Sequence, residues 1–191
     1  MSLRDTDAPA AEPADVLAFW FDEHGPADWF KRSDAFDAAV RTRLGPAFED
    51  AAAGKLDGWA ATPDGALALI LLLDQVPRNL FRDDARAFAT DAKAREVARA
   101  AVEAGHDMAL PAPDRRVFVY LPFEHSEDAD DQALCVALSE ERLGNDDYAE
   151  YARRHKAVID RFGRFPHRNA CLGRETTAEE AAFLEETPTG F

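Results

Sequence analysis

A chain of 191 residues, 47% hydrophobic and 31% charged, is long enough to bury a core without disulfides or metal and too apolar to be disordered throughout. Its 37 acidic side chains outnumber 22 basic ones, giving a formal net charge of −15. That field repels phosphate backbones and anionic headgroups, so neither nucleic acid nor a membrane surface is an expected partner.

The opening stretch MSLRDTDAPAAEPAD has no apolar core of a signal peptide. Residues 1–12 read as a flexible tail, residues 13–191 as one all-helical domain, and the cytoplasm as the expected location. Asp15 opens a first helix carrying Val16, Phe19 and Trp20 at helical spacing. Ser33 is an N-cap for a second helix with the stripe Phe36, Val40, Leu44; Gly45-Pro46 is expected to interrupt it, with Phe48 to Ala53 on a new axis.

Thr62-Pro63 places a cap before a proline at the first helical position. The run ALALILLLD that follows is apolar all round, as a central buried helix should be, and Pro77 should end it at or before Val76. From Ala66 to Leu73 this run is far too short to cross a bilayer. Asp91 can cap a further helix reaching Ala104, with Gly105 as its left-handed stop. Residues 116–121 (RVFVYL) have strand propensity but no partner strand, and read as helix.

Two helices follow, Glu127 to Gly144 and Asp147 to Phe162; the second has the stripe Tyr148, Tyr151, Ala152, His155, Ile159 and Phe162. Cys135, within the first, behaves as a small hydrophobe, and with Cys171 it forms no CxxC pair. Thr177 to Glu180 is a capping box for a last helix. The fold class expected is all-α: about eight to nine helices in stacked antiparallel hairpins, a tetratricopeptide-repeat-like superhelix.

Three polar segments stand out. In Asp74-Gln75-Val-Pro-Arg78-Asn79, an anion in the last turn of a buried helix opposes the macrodipole and needs a partner, with Arg78 or Arg82 the natural choice. A structural ion pair explains this; the functional reading is that Gln75, Arg78 and Asn79 present donors to a ligand. In Glu124-His125-Ser126-Glu127-Asp128, Ser126 as cap and the acids at a positive helix end explain all but Glu124 and His125. A histidine beside carboxylates should favour its charged form and suits proton transfer.

The third segment runs from Arg161 to Arg174. It holds four arginines and His167 with no acid, in an acidic protein. Arg161 and Arg164 complement a helix end, whereas Arg168 and Arg174 either pair with the acidic segment or hold a small anion. Asn169 lies among them, and His155 reads either as a buried neutral histidine or as part of the site. There is no GxSxG elbow, no phosphate loop and no metal-ligand spacing, so no metal and no cofactor are expected.

The stretches LLLDQVPRNLFRDDARAFATD, YLPFEHSED and RFGRFPHRNACLGRETTAEEAAFL, with the N-terminal LAFWF, resemble an uncharacterised bacterial family, domain of unknown function family 924. The likeness covers nearly the whole chain after the tail; Val76 stands where most members have Phe. It implies an all-helical fold similar to tetratricopeptide-repeat superhelices and carries no function. From the residues, the function expected is binding of a small anionic molecule or peptide carboxylate by Asp74, Gln75, Arg78, Asn79, His155, Arg164, His167, Arg168, Asn169 and Arg174. The alternatives are a hydrolase or lyase using His125 and Glu124 as acid–base groups, and a protein-interaction scaffold.

Overall fold

Side-chain oxygens start most of the long helices. Ser33 accepts the Phe36 amide, Thr62 that of Gly65, Asn145 those of Asp147 and Tyr148, and Thr177 that of Glu180. The computed structural model describes residues 11–111 and 113–187; most of the expected tail, residues 1–10, lies outside them. Among the described residues there are no strands, and the chain folds as eight main helices joined by shorter turns. They are α1 (Pro13–Leu17, continued by a wider π turn over Ala18–Glu23), α2 (Asp34–Ala52), α3 (residues 63–80), α4 (Asp91–Glu103), α5 (Val117–Glu124), α6 (Ala129–Arg142), α7 (Asp146–Phe162) and α8 (Ala178–Glu186).

Helix α3 is the centre, as its unbroken apolar sequence predicts. Every residue from 65 to 77 is buried, and α1, α2, α4 and α5 all pack against it. Trp20, Phe118, Phe123 and the leucines of α3 fill one core that extends to α6 and α7. A smaller cluster of Val158, Ile159 and Phe165, backed by Phe162 and Phe183, lies where α7 meets the C-terminal segment. The strand-like RVFVYL is helical: all eight residues of α5 are buried, and a helix satisfies its own amides where no neighbouring strand exists to do so. No described helix is long and apolar enough to cross a membrane.

Several expected boundaries fall elsewhere. Gly45-Pro46 does not interrupt α2, which runs through both; burial of Ala47, Phe48 and Ala51 beyond the proline outweighs the lost hydrogen bond. Thr90, not Asp91, stands at the start of α4, and Asp91 is its first helical residue. Asp128, not Ser126, caps α6 by accepting the Asp130 and Asp131 amides, while the Ser126 hydroxyl donates to Asp131.

Pro77 does not stop α3 either. A proline inside a helix removes one amide and presses its ring on the carbonyl four residues back, here Leu73. The π turn over Leu71–Gln75 relieves this: the Val76 amide reaches back five residues to the Leu71 carbonyl, and the helix continues as Val76–Leu80. The freed Leu73 carbonyl accepts the Thr90 hydroxyl at 2.5 Å. Replacing Thr90 by Val orphans that carbonyl beneath a buried turn and is expected to cost about 1–2 kcal/mol in urea denaturation. Thr90→Ser should recover most of the loss; equal stability of wild type and the Val variant would contradict this account.

Candidate functional site

The widened turn of α3 sets Asp74 in the interior with its carboxylate 1% exposed. Such an anion must be surrounded by donors, and three are present. Gln75 Nε2 donates at 2.7 Å, His125 Nδ1 lies 2.9 and 3.0 Å from the two oxygens, and an Arg78 nitrogen is 3.4 Å away. Burial alone would raise the Asp74 pKa, but Arg78 and His125 reverse this and hold it well below the ordinary carboxylate range.

Arg78 was one of the two arginines expected to serve Asp74, and it does so only in part. It donates to the Asp74 main-chain oxygen, while its main partner is Asp91, held by two parallel bonds of 2.9 Å. Arg82, the other expected partner, instead binds Asp37 with Asn79. Asn79 therefore faces the α2 side and not the Asp74 group.

The arginine-rich segment divides among different partners. Arg161 bonds Glu179 on α8, and Arg164 bonds Glu180 at 2.6 and 2.9 Å. Arg174 makes a bidentate pair with Glu127 at 2.7 and 3.0 Å and donates to Asn169. Asn169 in turn reaches Thr176 and Glu180. These contacts join the C-terminal segment to itself and to the start of α6.

Arg168 differs. Its side chain is 8% exposed, its guanidinium carbon lies 4.6 and 4.5 Å from the ring centres of Phe88 and Phe165, and Asp91 stands 4.0 Å away. Its Nε is buried without a hydrogen-bond partner, and the guanidinium makes no hydrogen bond to any described residue. Burial, then the neighbouring Arg78, pull its pKa down to about 10.

His125, Glu124, His155 and His167 gather beside it. Proximity to carboxylates was expected to favour charged His125; the structure reverses this, because burial outweighs Asp74 and lowers the pKa. With Asp74 accepting at Nδ1, the proton is assigned there, and Nε2 is left as an acceptor that meets no described residue. Glu124 is pushed up to about 8 by burial and then by Asp74; His155 lies 3.5 Å from one oxygen and the Cys135 thiol 4.0 Å from the other. His155 is held by the Tyr151 carbonyl at 2.9 Å, and burial lowers its pKa to about 4. The ring of Phe165 lies 5.8 Å from that of His155 and 5.6 Å from that of His167, which is exposed.

Of the residues singled out in the sequence, Asp74, Gln75, Arg78, Glu124, His125, His155, His167 and Arg168 thus come together around α3, α5 and the turn after α7. Asn79, Arg164, Asn169 and Arg174 lie in other hydrogen-bond groups. Asp91, Phe88 and Phe165 complete the arrangement and were not anticipated. One signal was legible for Asp91: Thr90 before it can itself start a helix, which leaves the aspartate uncommitted. Among the described residues no group of three or more His, Cys, Asp or Glu side chains is arranged to hold a metal ion.

Glu124 makes the interior sensitive to pH. Folding raises its pKa from 4.5 to about 8, so the folded chain holds the extra proton in that window and stability falls as pH rises, by about 1.4 kcal/mol per pH unit. His125 and His155, lowered from 6.5, have the opposite slope below that value and offset it there. A net loss is therefore expected from about pH 6.5 to 8, and Glu124→Gln should abolish it. Melting temperatures at both ends of that range test this; an equal loss in the variant would assign the slope to another group.

Residues 16–188 match a family model described as bacterial protein of unknown function (DUF924). The chain is similar to the solved structure of a protein of unknown function, ATU0120 from Agrobacterium tumefaciens. The two share 46% identity and a TM-score of 0.86, over 91% of this chain and 97% of that one. Among curated proteins nothing matches the chain. With the family model spanning nearly all of its helices, this chain belongs to the DUF924 family of bacterial proteins of unknown function.

Proposed function

We propose that the protein binds a small anion at Arg168, beside the Asp74–His125 pair. A single observation carries this reading: a buried guanidinium with no hydrogen bond to any described residue. Buried arginines pay for desolvation through bidentate partners, and Arg78 and Arg174 both have them. Arg168 has two aromatic rings against it and a carboxylate too distant for a hydrogen bond. An incoming carboxylate or phosphate supplies what is missing. The ordered partners of Arg78 and His125 keep both groups fixed while it binds.

A second reading has its own support. The buried Asp74 orients His125 with Nε2 open, the arrangement by which a carboxylate prepares a histidine as a base. Glu124, protonated at neutral pH, can act as the acid. Turnover of any substrate lost in His125→Ala with an unchanged melting temperature would favour an enzyme. The scaffold reading draws on none of these groups.

Calorimetric titration with acetate, propionate, phosphate and acidic peptides tests the anion site. Arg168→Met keeps bulk against Phe88 and Phe165 and removes the charge. It is expected to lose about tenfold or more in affinity for whichever anion binds, with a melting temperature no lower than wild type. Absence of heat for every anion, together with a lowered melting temperature in Arg168→Met, would make Arg168 an internal strut.

A further inference from the structure

Five side chains form a fixed arc. Arg168 faces Asp91 at 4.0 Å, Asp91 binds Arg78 through both oxygens, Arg78 donates to the Asp74 carbonyl, and Asp74 holds His125. The three inner members are hydrogen-bonded within the arc, Asp74 also by Gln75. The two outer members have groups left over: Arg168 has its guanidinium donors unused, and His125 has Nε2 without a partner among the described residues. One end of the arc is thus a cationic donor and the other a neutral acceptor. They are close enough for the Arg168 charge to disfavour protonation of His125.

The charges limit what can bind. Two arginines, Arg78 and Arg168, face two aspartates, Asp74 and Asp91, and of these two arginines Arg168 is the one without a hydrogen bond to a carboxylate. A monoanion on Arg168 meets less repulsion from the two aspartates than a dianion, whose second charge has no further cation to pair with. The rings of Phe88 and Phe165 pack within 4.6 and 4.5 Å of the Arg168 guanidinium carbon. The planar donor fork of a guanidinium matches a carboxylate in plane.

Resting on the anion-site reading, we propose that the ligand is a small monocarboxylic acid with a second hydrogen-bond donor, a hydroxyl or amine. Its carboxylate lies on Arg168 and its donor on Nε2 of His125. The acceptor gives the site its selectivity. A ligand without the donor leaves Nε2 desolvated and unpaired, and sites built to bond a hydroxyl reject analogues that lack it.

The test is a calorimetric ladder of hydroxy acids against their deoxy parents: lactate with propionate, and 3- and 4-hydroxybutyrate with butyrate, with sulfate as the dianion. At least one hydroxy acid is expected to bind about tenfold tighter than its parent, and sulfate more weakly than either. His125→Asn keeps a donor where Nδ1 meets Asp74 and deletes Nε2. In this variant the hydroxy acid and its parent should bind within about threefold of each other.

If the variant fails to fold, the His125 ring ¹⁵N spectrum of the wild type decides: Nε2 should shift with the hydroxy acid and not with its parent. A parent that binds through Arg168 while no hydroxy acid exceeds it overturns this proposal and leaves the anion site standing. If no anion of the ladder binds at all, the anion site itself fails.

Discussion

A carboxylate in the central buried helix governs this structure. Asp74 is on the π turn that lets α3 pass through Pro77; the Leu73 carbonyl there takes a donor from outside the helix, and the Asp74 carbonyl accepts from the Arg78 side chain. Thr90 serves one and Arg78 the other. The buried anion requires further donors, which fixes Gln75 and His125. Removing the proline-induced widening would therefore disturb α4, α5 and the polar interior together, because each contributes a group that answers the same local defect.

Around that centre, satisfied and unsatisfied charge are kept apart. Arg82, Arg164 and Arg174 each meet a carboxylate with short bonds, and the result is mechanical: helices α2, α6 and α8 are tied to their neighbours. Arg168 is held by aromatic packing and stays charged at neutral pH despite a depressed pKa. Glu124 on the adjacent helix is held protonated by burial and by Asp74. A folded chain that retains one underbonded cation and one neutral carboxyl in its interior carries a cost that packing alone does not require.

Much of this was legible in the residues. The caps at Ser33, Thr62 and Thr177, the central position of ALALILLLD and the helical state of RVFVYL follow from local hydrogen bonding and from period. The polar segments were also visible, since acids and bases in unusual places are a property of sequence. Their partners were not. Arg174 could have bonded Glu127 or an anion with the same geometry, and only the approach of the C-terminal segment to α6 selects Glu127.

The chain by itself determined an all-helical protein with polar groups before and after its buried helices, because helix formation depends on neighbours within four residues and on one apolar stripe. Tertiary structure alone decided that α2 and α3 continue through their prolines, where burial beyond each proline exceeds the local penalty. It also decided that Asp91 faces Arg78, that Arg168 is the arginine left over, and that burial makes His125 neutral where adjacent carboxylates suggested a cation. Pairing and desolvation depend on residues tens of positions away, and no local pattern encodes them.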